Sequence, residues 1–181
     1  ALLESHPLVV PVSIHAGGTD AMIVSEGAAL ATAFTPAYPT AMIDRVHFDG
    51  EKGIAIQRTR DAWITRTAER LSAFTPLSVH AQAWTYKERE GEISLTVECS
   101  DYAPPGDYRL HCWIIATSIV GTGRGYDQTN YYSGNATYRD HPCYGLPDPI
   151  PQYEHRHVFI QSLTGVWGDD TVIETAPQAG R

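Results

Sequence analysis

The sequence has few basic residues and no long apolar run. Its 181 residues include 13 lysines and arginines against 21 acidic residues, a net charge of −8. Nucleic-acid binders need a basic patch that neutralises phosphates, so nucleic acid is excluded as a partner, and anionic membrane surfaces are excluded for the same reason. The longest apolar stretches, 28–31 and 114–116, fall far short of the roughly 20 residues that span a bilayer. The sequence therefore predicts no transmembrane segment.

Catalytic and cofactor motifs are also scarce. There is no Gly-x-Ser-x-Gly elbow, and the glycine-rich residues 121–125 lack the lysine of a phosphate-binding loop. The cysteine spacings match neither a zinc site nor a Cys-x-x-Cys motif. His155 and His157 share a face of a predicted strand and, with His141 near them, are candidate ligands of a metal ion. Strand histidines more often make ordinary hydrogen bonds, however. We therefore predict no metal, no other cofactor and no enzymatic activity.

The first third of the chain has the pattern of an α/β unit. Residues 8–15 form a nearly continuous β-branched run, which is typical of a buried parallel strand. The alanine-rich residues 25–34 predict a helix, and residues 38–46 predict a strand that starts at a proline. Apolar residues at roughly helical spacing predict an amphipathic helix over 54–73, which ends before Pro76.

After Pro76 the period of the apolar residues changes to two. Alternation on both sides of a turn at 87–91 predicts a β-hairpin. Further strands are predicted over 108–120 and 154–163, and the Gly-, Pro- and Asn-rich residues between them predict a long structured loop. The chain is thus predicted to be α+β, with an α/β domain over 1–74 and an antiparallel β-sandwich over 75–181.

Three stretches resemble one known family. They are Ser-Ile-His-Ala-Gly-Gly at 13–18, Tyr-Pro-Thr-Ala-Met-Ile-Asp-Arg at 38–45, and the segments 153–159 and 163–168. Together they resemble the outer-membrane-protein-28-related family of Bacteroidota. The resemblance implies an exported protein of the outer membrane or cell surface, with a truncated thioredoxin-like domain followed by an immunoglobulin-like antiparallel β-sandwich.

The same resemblance implies two local features. The peptide bond before Pro39 is expected to be cis. A strand and a Cys-x-x-Cys helix are expected to precede Ala1, so that the sheet of the first domain is incomplete in this chain. Because an open sheet edge is an exposed template for strand pairing, we expect a protein partner to complete it.

The chain has three cysteines. A symmetrical hairpin centred between Pro105 and Gly106 would set Cys99 opposite Cys112, with apolar residues facing one another on the same strands. In an oxidising compartment this predicts a cross-strand disulfide; the alternative is two buried free thiols. Cys143 is then unpaired, or it replaces one of the other two in the bridge.

Tyrosines are concentrated in the loop that precedes the last strand. Tyrosine offers a large contact area with a polar tip, so such loops favour protein or carbohydrate contact, although some of these rings could simply pin the loop. Asn135 fits the N-glycosylation pattern, and Thr171 follows an aspartate as in O-glycosylated Bacteroidota proteins. The predicted binding residues are Tyr126, Tyr131, Tyr132, Tyr138 and Tyr144.

His15 lies at the end of the first predicted strand, and Asp44 and Arg45 come after the Tyr-Pro turn. All three are at or close to the place where α/β proteins usually bind ligands, although a role in orienting loops is the more common one. The sequence favours a non-catalytic binding or structural module of the cell surface, part of a larger assembly. One alternative is a thiol-disulfide oxidoreductase whose active cysteines lie upstream of this chain. The other is a carbohydrate-binding module.

Overall fold

The computed structural model describes residues 6–35, 37–56, 60–88 and 90–180. Within these residues two α-helices are followed by two antiparallel two-stranded sheets, which makes the chain α+β as predicted. None of the described helices has the length and apolar character needed to cross a bilayer. The elements are α1 (Ser25–Phe34), α2 (Arg60–Leu71), β1 (Leu77–Lys87), β2 (Glu90–Cys99), β3 (Trp113–Ile119), a 3₁₀ helix (Ala136–Tyr138) and β4 (His155–Ser162).

The best buried part of the core lies where α1 packs on β4. Alanine and leucine favour the helical conformation of α1, which coincides with the predicted helix. Leu30 of α1 and Val158 and Phe159 of β4 are at most 1% exposed. Burial of side chains of this size stabilises a fold by about 1.5–3 kcal/mol each.

The predicted strand over 8–15 is wrong. Only Ser13 pairs: its N–H donates to the carbonyl of His157 at 2.7 Å, and its carbonyl accepts from the N–H of Phe159 at 2.9 Å. Val10 is 78% exposed rather than buried. Proline at position 11 cannot donate a hydrogen bond to a neighbouring strand, so the apolar run cannot continue as a central strand.

The predicted strand over 38–46 shrinks to a single bridge between Ala41 and Ile56. It ends there because Asp44 and Arg45 have φ values of 49° and 52°, which belong to a turn and not to a strand. The predicted cis bond between Tyr38 and Pro39 is present.

The second predicted helix is found over a shorter range, as α2, and residues 57–59 of its predicted span lie outside the described residues. The predicted hairpin is confirmed. β1 and β2 pair in antiparallel fashion, with Val79 opposite Val97 and Ala83 opposite Ile93. The last two predicted strands are also found, as β3 and β4, which pair with each other.

The predicted pairing of β2 with the next strand is wrong, and so is the predicted disulfide. Cys99 lies opposite Leu77 of β1, and Cys112 precedes β3. All three cysteines are free, which also excludes a bridge to Cys143. The Pro104-Pro105 pair lacks the N–H groups that a hairpin at this point would need, and the N–H of Cys112 donates to Thr164 Oγ1 at 3.0 Å instead.

Candidate functional site

The tyrosine-rich loop between β3 and β4 is held by Asn130, which is only 3% exposed. Its Nδ2 donates to the carbonyls of Cys143, Leu146 and Pro147 at 2.9–3.2 Å. Its Oδ1 accepts from the N–H of Tyr132 at 3.1 Å. One buried amide therefore ties residues 130–132 to residues 143–147 within the loop, because a buried polar group is stable only when its hydrogen bonds are made.

The five predicted binding tyrosines divide into two groups. Tyr131 and Tyr138 are 83% and 45% exposed. Tyr126, Tyr132 and Tyr144 are half-buried. Tyr132 stacks on His141 with ring centroids 3.7 Å apart and meets Tyr138 edge-on, at 5.0 Å and 80°. The half-buried rings therefore pack within the loop and stabilise it, while Tyr131 and Tyr138 face solvent.

The β1–β2 hairpin has an apolar face that is largely exposed. Directly opposite residues of an antiparallel pair share a face, and Val79 and Ile93 on this face are 54% and 42% exposed, whereas Leu95 and Val97 are half-buried. Among the described residues, no helix or other strand packs extensively on the hairpin. The alternating sequence predicted this face, but it could not show how much of the face is exposed. We define the apolar face as Val79, Ala81, Ala83, Ile93, Leu95 and Val97.

His15, His155 and His157 line one cleft of about 600 Å³. His15 Nδ1 lies 2.6 Å from Asp20 Oδ2, and His155 Nε2 donates to the carbonyl of Tyr126 at 2.8 Å. These contacts fix both rings. Nowhere in the described part do three or more His, Cys, Asp or Glu residues converge in a geometry that could hold a metal ion.

A second cleft of about 600 Å³ contains Asp44 and Arg45, with His111 and Trp113 across from them. The sequence grouped His15 with Asp44 and Arg45, but the structure separates it, because His15 lines the other cleft. His111 and Trp113 were not predicted as site residues. Nothing in the local sequence marks them, since they come from a segment more than 60 positions away.

The two predicted glycosylation positions are both exposed. Asn135 Oδ1 accepts from the N–H of Thr137 at 3.1 Å and caps the 3₁₀ helix. Thr171 Oγ1 donates to Asp169 Oδ1 at 2.6 Å. Their modification stays a prediction.

A scan against protein-family models and searches of curated proteins and of solved structures find no match to this chain. The resemblance to the outer-membrane-protein-28-related family therefore rests on the residues quoted above.

Proposed function

We propose that this chain is a non-catalytic protein-binding module of the bacterial outer membrane or cell surface, and that it works as part of a larger assembly. The single observation that carries the proposal is the exposed apolar face of the β1–β2 hairpin. Location and family follow from the sequence resemblance. So does the finer fold assignment, a truncated thioredoxin-like domain over 1–74 and an immunoglobulin-like sandwich over 75–181.

The hairpin supports an assembly role for two physical reasons. Contiguous apolar surface is unusual on monomeric soluble proteins and typically marks an interaction site. A two-stranded sheet is also marginal alone in water, and the edges of a sheet present N–H and C=O groups that can pair with another chain. A protein partner that covers the face buries its apolar surface, and a partner that adds a strand to an edge pairs the N–H and C=O groups there.

The tyrosine-rich loop supports the same proposal at a second place. Tyr131 is the most exposed of the ring side chains in this loop, and its backbone is held next to the buried Asn130. A rigid exposed tyrosine supplies contact area at a small cost in conformational entropy. Carbohydrate binding would use flat aromatic surfaces, whereas the rings of Tyr132 and Tyr138 are nearly perpendicular. This geometry favours a protein partner over a glycan.

Photo-crosslinking in cells of the source bacterium tests the proposal. A photoreactive amino acid replaces Ile93 on the apolar face in one variant and the adjacent Ser94, which is exposed on the opposite face, in the other. We expect crosslinks to one defined protein from position 93 and none to that protein from position 94. Equal labelling from both positions, or no protein product from either, contradicts the proposal.

A second pair of variants measures binding to the protein identified in this way. Ile93→Lys places a charge on the apolar face, and Ser94→Lys places the same charge on the polar face. Since both side chains already contact solvent, neither change should unfold the chain. We expect only Ile93→Lys to weaken binding. A matching Tyr131→Ala variant, screened also against immobilised glycans, shows whether the loop binds protein or carbohydrate.

A further inference from the structure

Arg45 is a half-buried cation that has no anionic partner among the described residues. Its Nη1 lies 3.2 Å from His111 Nε2, and its Cζ lies 5.5 Å from the ring centre of Trp113 and 5.9 Å from that of Phe34. No carboxylate of the described residues lies within ion-pair distance of its guanidinium. Burial lowers the pKa of Arg45, which reflects the cost of holding this charge away from water.

The acidic residues of the same cleft are already engaged by other arginines. Asp44 Oδ2 accepts from Arg70 Nε at 2.9 Å, and Asp107 accepts from Arg109 at 3.0–3.1 Å. The hydrogen bonds and charge of Asp107 raise the pKa of Arg109. Arg109 is therefore neutralised, while Arg45 is not.

Two further hydrogen-bond donors beside Arg45 have no partner. A guanidinium can only donate, so His111 Nε2 accepts from Arg45 and the proton of the neutral ring sits on Nδ1. Burial, followed by the charges of Arg45 and Arg109, lowers the pKa of His111 and favours this neutral form. His111 Nδ1 and Trp113 Nε1 are both buried without a hydrogen-bond partner. A buried donor in this state is destabilising, because it has lost its hydrogen bond to water and gained none in the protein.

The backbone at Arg45 is strained as well. Asp44 and Arg45 occupy the centre of a turn that is closed by a hydrogen bond from the N–H of Val46 to the carbonyl of Ile43. Aspartate tolerates the left-handed region, but for arginine a φ of 52° is unfavourable, because its Cβ approaches the backbone carbonyl. Strain of this kind concentrates at functional sites, where it fixes a side chain in place.

We propose that the cleft formed by Arg45, His111 and Trp113 binds a carboxylate carried by an apolar group. A planar guanidinium pairs with a carboxylate through two parallel hydrogen bonds. The Nδ1–H of His111 and the indole N–H of Trp113 gain acceptors through a small shift of their rings. Val10, Val12 and Ile115 supply an apolar wall. A phosphate is disfavoured, because Asp44 and Asp107 also line the cleft and repel a dianion.

Isothermal titration calorimetry on the full chain tests this site. The probes are 3-phenylpropanoate, which represents a free acid, N-acetylglycyl-phenylalanine, which represents a peptide C-terminus, and the uncharged 3-phenylpropanamide. We expect one of the acids to bind about tenfold or more tightly than the amide. Whichever acid binds identifies the source of the carboxylate. Equal binding of acids and amide, or no binding at all, overturns the proposal.

Two arginine variants of the same cleft provide a matched comparison. Arg45→Gln should weaken binding of the acid by about tenfold or more, whereas Arg109→Gln, which removes a charge already paired with Asp107, should weaken it clearly less. Arg45→Lys keeps the charge without the planar fork and should bind with intermediate affinity. Equal losses in Arg45→Gln and Arg109→Gln contradict the site.

Nuclear magnetic resonance of the wild-type chain gives a readout that needs no Arg45 variant. The indole N–H resonance of Trp113 is assigned by its absence in Trp113→Phe. The acid should move this resonance downfield, since the N–H gains an acceptor, and the amide should not. An unmoved resonance at saturating acid rules out the proposed geometry.

Discussion

A Cβ atom on Gly27 of α1 would lie 3.5 Å from the ring of Phe159 in β4, in van der Waals contact, so the helix packs closely on the sheet at this glycine. The same atom would lie 3.2 Å from Cγ2 of Ile14, which is tighter than an ordinary contact. A methyl group therefore fits at this point only if Ile14 shifts by a few tenths of an ångström, and a larger side chain has to displace its neighbours further.

Gly27→Leu should therefore destabilise the fold by about 1–3 kcal/mol, because extra methylene groups in a packed core force side chains or backbone to move. Ala33→Leu, at an exposed position of the same helix, is the control and should leave the free energy of unfolding nearly unchanged. Urea denaturation of both variants measures the difference. Equal stability of the two variants would show that α1 and β4 do not pack as described.

Asn130→Ala should loosen the tyrosine-rich loop. The change removes the hydrogen bonds that the buried amide donates to the carbonyls of Cys143, Leu146 and Pro147 and accepts from the N–H of Tyr132, at a cost of about 1–3 kcal/mol. Amide hydrogen exchange should become faster at Tyr132 and at Gly145, whose N–H donates across the loop to the carbonyl of Ser133. Asn135→Ala removes only an exposed cap bond and should not alter exchange at these two amides.

Local patterns in the sequence predicted the elements that depend on neighbouring residues. The alanine-rich run gave α1 directly, and the alternation around residues 87–91 predicted the β1–β2 hairpin and its apolar face. Both signals work because the residues that decide the element lie within one turn of helix or one hairpin of each other.

Long-range pairing was not predictable in the same way. β3 pairs with β4 across a long loop, with Ile115 opposite Phe159, and not with the strand that precedes it. An alternating apolar strand fits almost any other alternating strand, so the register that set Cys99 opposite Cys112 was self-consistent but wrong. Of the residues that form the second cleft, the sequence indicated Arg45, which comes after the Tyr-Pro turn. His111 and Trp113 are far from Arg45 in the sequence and approach it only in the folded chain.

The three cysteines should all react with thiol reagents in the unfolded chain, because none is in a disulfide. Cys99 is 4% exposed and donates through Sγ to the carbonyl of Asp101 at 2.6 Å, whereas Cys112 and Cys143 are half-buried. A thiol reagent should therefore modify Cys99 more slowly than the other two in the native state. Cys99→Ala should remove the slow phase alone. A native chain in which two thiols resist alkylation even in denaturant would instead contain a disulfide.

Stability should fall as the pH is lowered through the titration range of histidine. Burial and the positive charges of Arg45 and Arg109 lower the pKa of His111 below its ordinary value of 6.5, and the other charged groups of its cleft, Asp44 and Asp107, are each paired with an arginine. Between its lowered native value and 6.5, the unfolded chain binds more protons than the native one at this ring. The contribution to the free energy of unfolding is thus complete above about pH 6.5 and is lost as the pH falls towards the native pKa.

Urea denaturation at about pH 7.5, 6.5 and 5.5 checks this expectation in wild-type and His111→Gln chains. Glutamine cannot take up a proton, so the variant should lose less stability than the wild type between the highest and the lowest pH. The change in the free energy of unfolding with pH is compared within each chain, so any loss of stability that the substitution causes at every pH cancels. Parallel pH profiles for the two chains would mean that His111 titrates equally in the native and unfolded states, and that the Arg45 guanidinium does not face its ring.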